Sequence, residues 1–431
     1  MNTLAELKAG KLKGAKRLQL VEELVEFPAE IFTLANTLEV LDLSNNKLSD
    51  LPAEFACLHR LKRVFLSFNQ FKHIPDVLAK CPELIMVAFK GNKISEFALN
   101  SLPKNIEWLI LTDNRLSELP TDFGNYTQLK KLALAGNELT HLPTSMANCT
   151  NLELVRLSAN NLTKLDNWLL ALPKLAWLAF AGNEFNKAQC LTKSSLQNTP
   201  LENFQLEKVI GTGASGVIHL AKSQHQNVAV KLFKGAITSD GYPLDEVNCC
   251  LQAGNHNHLI NVLSYIEQGA DLGLVMELIG TNYANLGLPP SLETCTRDTF
   301  NDGCNYPIEA VYKIAKQMAN TLTHLHANNV SHGDIYAHNT MINEQYDVLF
   351  GDFGAATNLS MLSEHQQQKI QLIEVRAFGC LIEDLLSTVS FSNKQTELFD
   401  KMSDIAARAL NSTIVSRPSF KALSAVLNNL V

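Results

Sequence analysis

The sequence predicts an α/β repeat solenoid over its first half and a mixed α+β domain over its second. Three observations carry this. A period of 22 or 23 residues runs through the first half. Charge changes sign near residue 200: residues 1–200 hold 22 Lys+Arg against 20 Asp+Glu, and the remainder holds 14 against 23. Beyond that point, short motifs suited to phosphate chemistry follow one another in order. The 431 residues suffice for two or three domains, at roughly 100–200 residues each.

Leu38 opens LEVLDLSNNKLSDLP, and comparable copies open at Leu61, Leu84, Ile106, Leu129, Leu152 and Leu175. A less regular copy starts at Ala15, making about eight. Positions 1, 4, 6 and 11 of the seven regular copies are apolar, and position 9 is always Asn: Asn46, Asn69, Asn92, Asn114, Asn137, Asn160 and Asn183. Each copy supplies one short strand whose apolar side chains cannot be buried alone but can be in a stack. An Asn amide both donates and accepts, so a column of them can satisfy the backbone where the chain leaves the strand. Pro52, Pro75, Pro120 and Pro143 start the return limb. This pattern resembles the leucine-rich-repeat family over residues 15 to about 198.

Between the inward leucines stand Val40, Phe65, Phe68, Met86, Trp108, Ile110, Leu154 and Trp177, with Arg63, Lys131 and Arg156 among them. Aromatic and apolar side chains facing solvent mark a binding surface. A protein substrate or regulator is therefore expected on the concave face, with Phe65, Trp108 and Trp177 as its anchors.

From Leu201 the grammar changes. Gly211-Thr-Gly213-Ala-Ser-Gly216-Val217 is a glycine loop between strand-like runs, so it reads as a phosphate-covering hairpin. A dinucleotide-binding loop would run into a helix instead, and no GKS or GKT follows to make a P-loop. Val228-Ala229-Val230-Lys231 places a lysine on the next strand, where it can hold nucleotide phosphates. DEVNCCLQAGNHNHLI predicts a helix ending near Gly254. Glu246 is the candidate ion-pair partner for Lys231, with Asp245 as competitor. GLVMELI predicts a buried strand leading to a connector, where Glu277 and Leu278 would offer backbone groups to an adenine ring.

His332-Gly-Asp334-Ile-Tyr-Ala-His-Asn339 and Asp352-Phe-Gly354 complete the set. Phosphoryl transfer needs a carboxylate near the attacking hydroxyl and metal ions to neutralise phosphate charge. Asp334 suits the first role, and Asn339 with Asp352 the second. Residues 204–431 thus resemble a protein kinase domain, and the resemblance continues through EVRAFGCLIEDLL at 374–386 and Arg417-Pro-Ser-Phe420. The whole resembles bacterial leucine-rich-repeat kinases: an α/β leucine-rich-repeat solenoid (1–198), a short linker (199–203) and an α+β two-lobed protein-kinase-like domain (204–431). That resemblance implies ATP and Mg2+ in a cleft between lobes, held by Gly211, Gly213, Gly216 and Lys231, with Val217 and Ala229 capping the adenine. It implies transfer to a protein hydroxyl. Serine or threonine is expected, because the loop does not match HRDLAARN.

The pattern is broken in several places. Gly333 stands where the family has arginine, and Tyr336 where it has lysine. No APE motif occurs, only 22 positions separate Asp352 from Glu374, and Arg417 is expected to lack its usual glutamate. HGDxxxxN also resembles aminoglycoside and choline phosphotransferases, so a small-molecule kinase and an ATP-binding pseudokinase scaffold are the alternatives.

Other features read more plainly. His324, His326, His332 and His338 read as structural rather than metal-binding. Cys249 and Cys250 read as buried, inert thiols. The stretch 281–307 reads as an irregular connection near the cleft mouth. A net charge of −7 argues against bulk attraction to nucleic acid. No apolar run reaches the ~18 residues of a membrane span. The charged start does not read as a secretory signal. Nine cysteines without a CxxC pair fit a reducing cytoplasm.

Overall fold

A computed structural model describes residues 2–98, 100–188, 190–191, 196–213, 215–224, 226–235, 237–238, 240–269 and 271–430. The chain forms two compact units, Met1–Leu172 and Pro173–Val431.

In the first unit a short helix, α1 (Leu4–Lys8), closed by a Thr3/Glu6 capping box, precedes the repeats. Seven three-residue strands follow: β1 (Arg17–Gln19), β2 (Val40–Asp42), β3 (Arg63–Phe65), β4 (Met86–Ala88), β5 (Trp108–Ile110), β6 (Lys131–Ala133) and β7 (Leu154–Arg156). They pair parallel, each residue opposite its equivalent one repeat away, as Leu41 is opposite Val64. The period therefore sets the register. Their central side chains, from Leu18 through Leu41, Val64, Val87, Leu109, Leu132 and Val155, have no exposure. Short 3-10 turns form the return limb, and Pro52, Pro75 and Pro143 each stand immediately before one. Proline suits that place because its fixed φ starts the turn and its missing N–H is not needed there.

The repeated asparagines are buried and bridge neighbouring copies. Asn137 is representative. Its Nδ2 donates to Leu111 O (2.9 Å) and Leu134 O (3.0 Å), while its Oδ1 accepts from Leu116 N–H (3.0 Å).

The second unit begins with the last repeat copy and its strand β8 (Trp177–Ala179). The repeat pattern carries to about 198, yet the compact units part at 172/173. The reason is that this last strand packs among residues of the second unit, as described below. An antiparallel sheet follows, in the order β12-β13-β11-β10-β9: β9 (Gln205–Thr212), β10 (Gly216–Lys222), β11 (Asn227–Phe233), β12 (Val262–Gln268) and β13 (Asp271–Glu277). Helix α2 (Pro243–Ala253) packs on it, ending at Gly254 in a left-handed conformation (φ 66°). The remainder is mainly helical: α3 (Ile308–Ala327), α4 (Glu364–Thr388), α5 (Glu397–Ala409) and α6 (Phe420–Asn428), with short strands β14 (Ala284–Asn285), β15 (Val330–Ser331), β16 (Thr340–Ile342), β17 (Val348–Phe350) and β18 (Thr357–Asn358) around the loops that matter.

Helix α4 begins ten residues before Glu374, not near it. The Ser363/Gln366 capping box starts it there, and that box was readable as S-x-x-Q. The span from Asp352 to the first residue of α4 is correspondingly short. Arg417, expected to lack its usual glutamate, is buried and donates instead to three backbone carbonyls: Pro173 (2.7 Å), Asn411 (2.8 Å) and Leu372 (3.0 Å). Burial pushes its pKa down to about 10. No helix among the described residues is long and apolar enough to cross a membrane.

Candidate active site

A cavity of about 480 Å³ lies between the five-stranded sheet and the helical part of the second unit, a size that suits a nucleotide. Its roof is the glycine hairpin. β9 and β10 pair antiparallel, and Gly213 and Gly216 line the cavity. A Cβ on Gly216 would sit 2.4 Å from Leu232 O, so only glycine fits that crossing. Ala214 of the loop lies outside the described residues. Side chains alternate along β10, so Gly216 and Ile218 share one face. Ile218 therefore lines the cavity, and Val217, the expected adenine cap, is not among its walls. Gly211 also stands back from it; a Cβ there would meet Ile218 at 3.4 Å. On β11 the same alternation sends Ala229 and Lys231 inward. Glu277 and Leu278 line the cavity at the end of β13.

Lys231 donates to Glu246 on α2, and both are buried. Asp245, the competitor, does not join this pair. Burial opposes the charge on Lys231, but Glu246 and Asp352 outweigh it and hold the lysine pKa above its ordinary value. Lys231 is thus a fixed cation aimed at the cavity.

The loop 332–339 gives His338 and Asn339 to the opposite wall, and Asp334 stands just behind it, outside the lining residues. His332 is fully buried, donates from Nε2 to Gly351 O (2.9 Å) and stacks on Phe350 (4.1 Å). Burial holds its pKa down, so the ring is neutral and props the loop. Gly333 takes φ +72°, and its N–H donates to Glu374 Oε1 (2.7 Å). Glu374 also accepts from His326 Nε2 (2.6 Å). Burial would raise the pKa of this carboxyl, but His326 and the Gly333 amide hold it below the ordinary value. Asn339 Nδ2 donates to Asp334 Oδ2 (3.0 Å) and Asp334 O (3.1 Å), which fixes both side chains. Asp352 is exposed, in a left-handed conformation (φ 60°), with Phe353 buried beneath it. Asp352 and Asn339 both line the cavity. A carboxylate and an amide oxygen are hard donors, and Mg2+-type ions take one or two such protein ligands plus phosphate oxygens, so the set fits a hard divalent cation.

Four participants escaped sequence reading. Ile218 was missed by one position. Asp298, in the stretch read as irregular, accepts from Ala337 N–H and lies 2.6 Å from His338 Nδ1, so it pins the loop from below. His338 lines the cavity beside Asn339. Trp177 was expected on the open concave face, yet it is 1% exposed. It stacks flat on Tyr336 (4.7 Å, 4°) and donates from Nε1 to Ile335 O (3.1 Å). Nothing local in the sequence pairs two residues that distant. Of the other concave positions, Val40, Met86, Leu154 and Arg156 are buried too, whereas Phe68 is exposed and Phe65, Trp108, Ile110, Arg63 and Lys131 are half-buried. Lys131 lies over the Trp108 ring (4.3 Å). The four histidines each have separate partners, His324 taking Ala253 O (2.8 Å).

Comparison with known proteins agrees with this architecture. Residues 204–373 match the protein kinase domain family, and residues 16–71, 104–162 and 127–185 match the leucine rich repeat family. Similar proteins include Aurora/IPL1-related protein kinase 2 of Caenorhabditis elegans, 28% identical over 176 residues, covering 38% of this chain and 54% of that one. The serine/threonine-protein kinase shk1/pak1 of Schizosaccharomyces pombe is 28% identical over 147 residues, covering 34% and 20%. The insulin-like growth factor 1 receptor of Xenopus laevis is 24% identical over 194 residues, covering 41% and 14%. The match spans 54% or less of each relative's length. The chain carries leucine-rich repeats followed by a protein kinase domain.

Proposed function

We propose that this chain is an ATP- and Mg2+-dependent protein kinase of the cytoplasm, of the kind that joins leucine-rich repeats to a kinase domain in bacteria, transferring phosphate to serine or threonine hydroxyls. One observation carries the reading. The Lys231–Glu246 pair, Asp352 and Asn339, the residue that holds Asp334 by a hydrogen bond, converge on a single cavity large enough for a nucleotide. Structural ion pairs alone would not need an exposed carboxylate beside them.

In this reading Lys231, fixed by Glu246, orients the phosphates, and the Gly213–Gly216 hairpin covers them. Asp352 and Asn339 hold the metal, which when bound neutralises phosphate charge. Asp334, steadied by Asn339, accepts a hydrogen bond from the acceptor hydroxyl and takes its proton as the new oxygen–phosphorus bond forms and the bond from the γ-phosphorus to the β–γ bridging oxygen breaks, releasing ADP. Similarity to serine/threonine-protein kinases such as the fission-yeast shk1/pak1 supports a serine or threonine acceptor. The face bearing Phe65, Phe68 and Trp108 is the proposed docking surface for a protein substrate or regulator.

The test is transfer of labelled phosphate from Mg·ATP by the purified chain beside Asp334→Asn. Label would be followed on the chain itself, on a protein mixture, and on a panel of aminoglycosides and amino alcohols. Protein labelling lost in the variant is the expected result. Label on small molecules alone would replace this reading with a small-molecule kinase. Thermal stabilisation by ATP without transfer would replace it with a nucleotide-binding scaffold.

A further inference from the structure

Gly333 and Tyr336, two of the places where the loop departs from the kinase pattern, lie against one foreign segment, residues 173–182. A Cβ on Gly333 would lie 2.5 Å from Ala355 O and 3.0 Å from Leu178 O, so Ala355 and the backbone of β8 together close the space a side chain at 333 would need. Tyr336, 4% exposed, is covered by the Trp177 ring at 4.7 Å and nearly parallel. Trp177 Nε1–H satisfies the Ile335 carbonyl, the next backbone group after Asp334.

The segment is tied down at both ends. Before β8, Arg417 donates to Pro173 O (2.7 Å) and Arg376 donates to Lys174 O (3.0 Å). After β8, Gly182 (φ +75°) touches the start of α2 so closely that a Cβ would meet Tyr242 Cδ2 at 2.5 Å and Asp245 Oδ2 at 2.7 Å. Helix α2 carries Glu246, and the loop carries Asp334. One ten-residue stretch of repeat thus braces both halves of the candidate site.

We infer that Trp177 is a positioning residue for phosphoryl transfer: with Leu178, the last repeat strand fixes the loop that carries Asp334, while Gly182 abuts the start of the helix that carries Glu246. This rests on the kinase reading above. The physical reason is that a loop residue acts well only if its position is held to a fraction of an ångström, and small misplacements cost rate more than binding. The stack and the hydrogen bond act on residues 335 and 336, away from the walls that touch nucleotide.

The experiment uses the full chain with Trp177→Ala and Trp177→Phe. Alanine removes both contacts, whereas phenylalanine keeps a flat ring and loses only the N–H. The expected result is a fall in kcat of tenfold or more for Trp177→Ala, with KM for ATP within twofold of the parent, and recovery of most of that loss in Trp177→Phe. A Trp177→Ala kcat within twofold of the parent would overturn the inference. So would kcat and KM for ATP worsening together with no recovery by phenylalanine, since that is the mark of general destabilisation. Amide hydrogen exchange provides the second readout. In Trp177→Ala amides 333–339 should exchange at least fivefold faster than in the parent while those of α3 stay unchanged, and in Trp177→Phe, which keeps the ring, they should exchange faster than in the parent but by a smaller factor. If the parent transfers no phosphate, the kinase reading fails, and exchange alone decides the bracing: unchanged protection of 333–339 sinks it.

Discussion

Glu374 offers the sharpest test of how the site loop is held. Its carboxylate is 2% exposed and has two donors, Gly333 N–H at 2.7 Å and His326 Nε2 at 2.6 Å. A carboxylate only accepts, so His326 must carry its proton on Nε2. Glu374→Gln keeps the shape but places an NH2 where one oxygen was. Turned toward Gly333, it opposes a donor with a donor; turned toward His326, it demands the other tautomer. A hydrogen bond to a charged group contributes about 1.5–3 kcal/mol, so glutamine should cost roughly 2 kcal/mol. Glu374→Ala leaves the Gly333 amide buried and unpaired as well, and should cost about 3–5 kcal/mol. Against a total of about 5–15 kcal/mol for a folded unit, alanine brings it near collapse.

The assay is urea unfolding from pH 3.5 to 7.5. The folded-state pKa of Glu374 lies below its ordinary 4.5. Its contribution is therefore present above 4.5 and is lost as pH falls through the lowered folded value. The gap between parent and Glu374→Gln should be full at pH 7 and shrink in acid. A glutamine variant within 0.5 kcal/mol of the parent, with no pH dependence of the gap, would refute the reasoning.

Three further outcomes follow from the same structure. Asn137→Ala leaves the buried Leu116 N–H unpaired and takes one of two donors from Leu111 O and from Leu134 O, which keep Asn114 and Asn160, so it should cost about 1–3 kcal/mol, read as a lower urea midpoint at constant slope. Burial raises the pKa of Asp245 from 3.8 to about 7. The folded state therefore loses stability as pH rises across that interval, by up to ~1.4 kcal/mol per unit, and the thermal advantage of Asp245→Asn should be absent near pH 4 and grow toward pH 8. Burial pushes the thiols of Cys249 and Cys250 upward, whereas Cys190 is exposed. Maleimide should label Cys190 within minutes and spare the buried Cys249 until denaturant is added, with Cys250, half-buried on the cavity wall, between the two; prompt labelling of Cys249 would contradict the packing.

The array was legible because its period sets both register and burial: Leu38, Leu41, Leu43 and Leu48 have no exposure, as their spacing required. The site was legible where one short motif holds paired residues, as at Asp334–Asn339, and where a strand offered one cation and a helix only two adjacent carboxylates, as at Lys231 with Glu246 and Asp245. Val217 shows the weak point. In a strand one position changes the face, so a motif aligned one residue early sends the wrong side chain to the ligand. Asp298 and Trp177 failed for another reason. Their partners lie far along the chain, and a repeat pattern states only that a position is on the strand, not what lies over it. The start of α4 was readable in Ser363 and Gln366, but family spacing drew attention to Glu374 instead.

The burial of Trp177 divides the repeats into two kinds. A copy that meets only its neighbouring copies answers to the repeat grammar alone, and such a copy can be added or lost in whole repeat steps. The copy that begins at Leu175 has no such freedom, because it answers both to the repeat grammar and to the residues it covers. Gene rearrangements that shuffle repeats should therefore have breakpoints upstream of it, and a kinase domain inherited without it would arrive lacking one wall of its own interior.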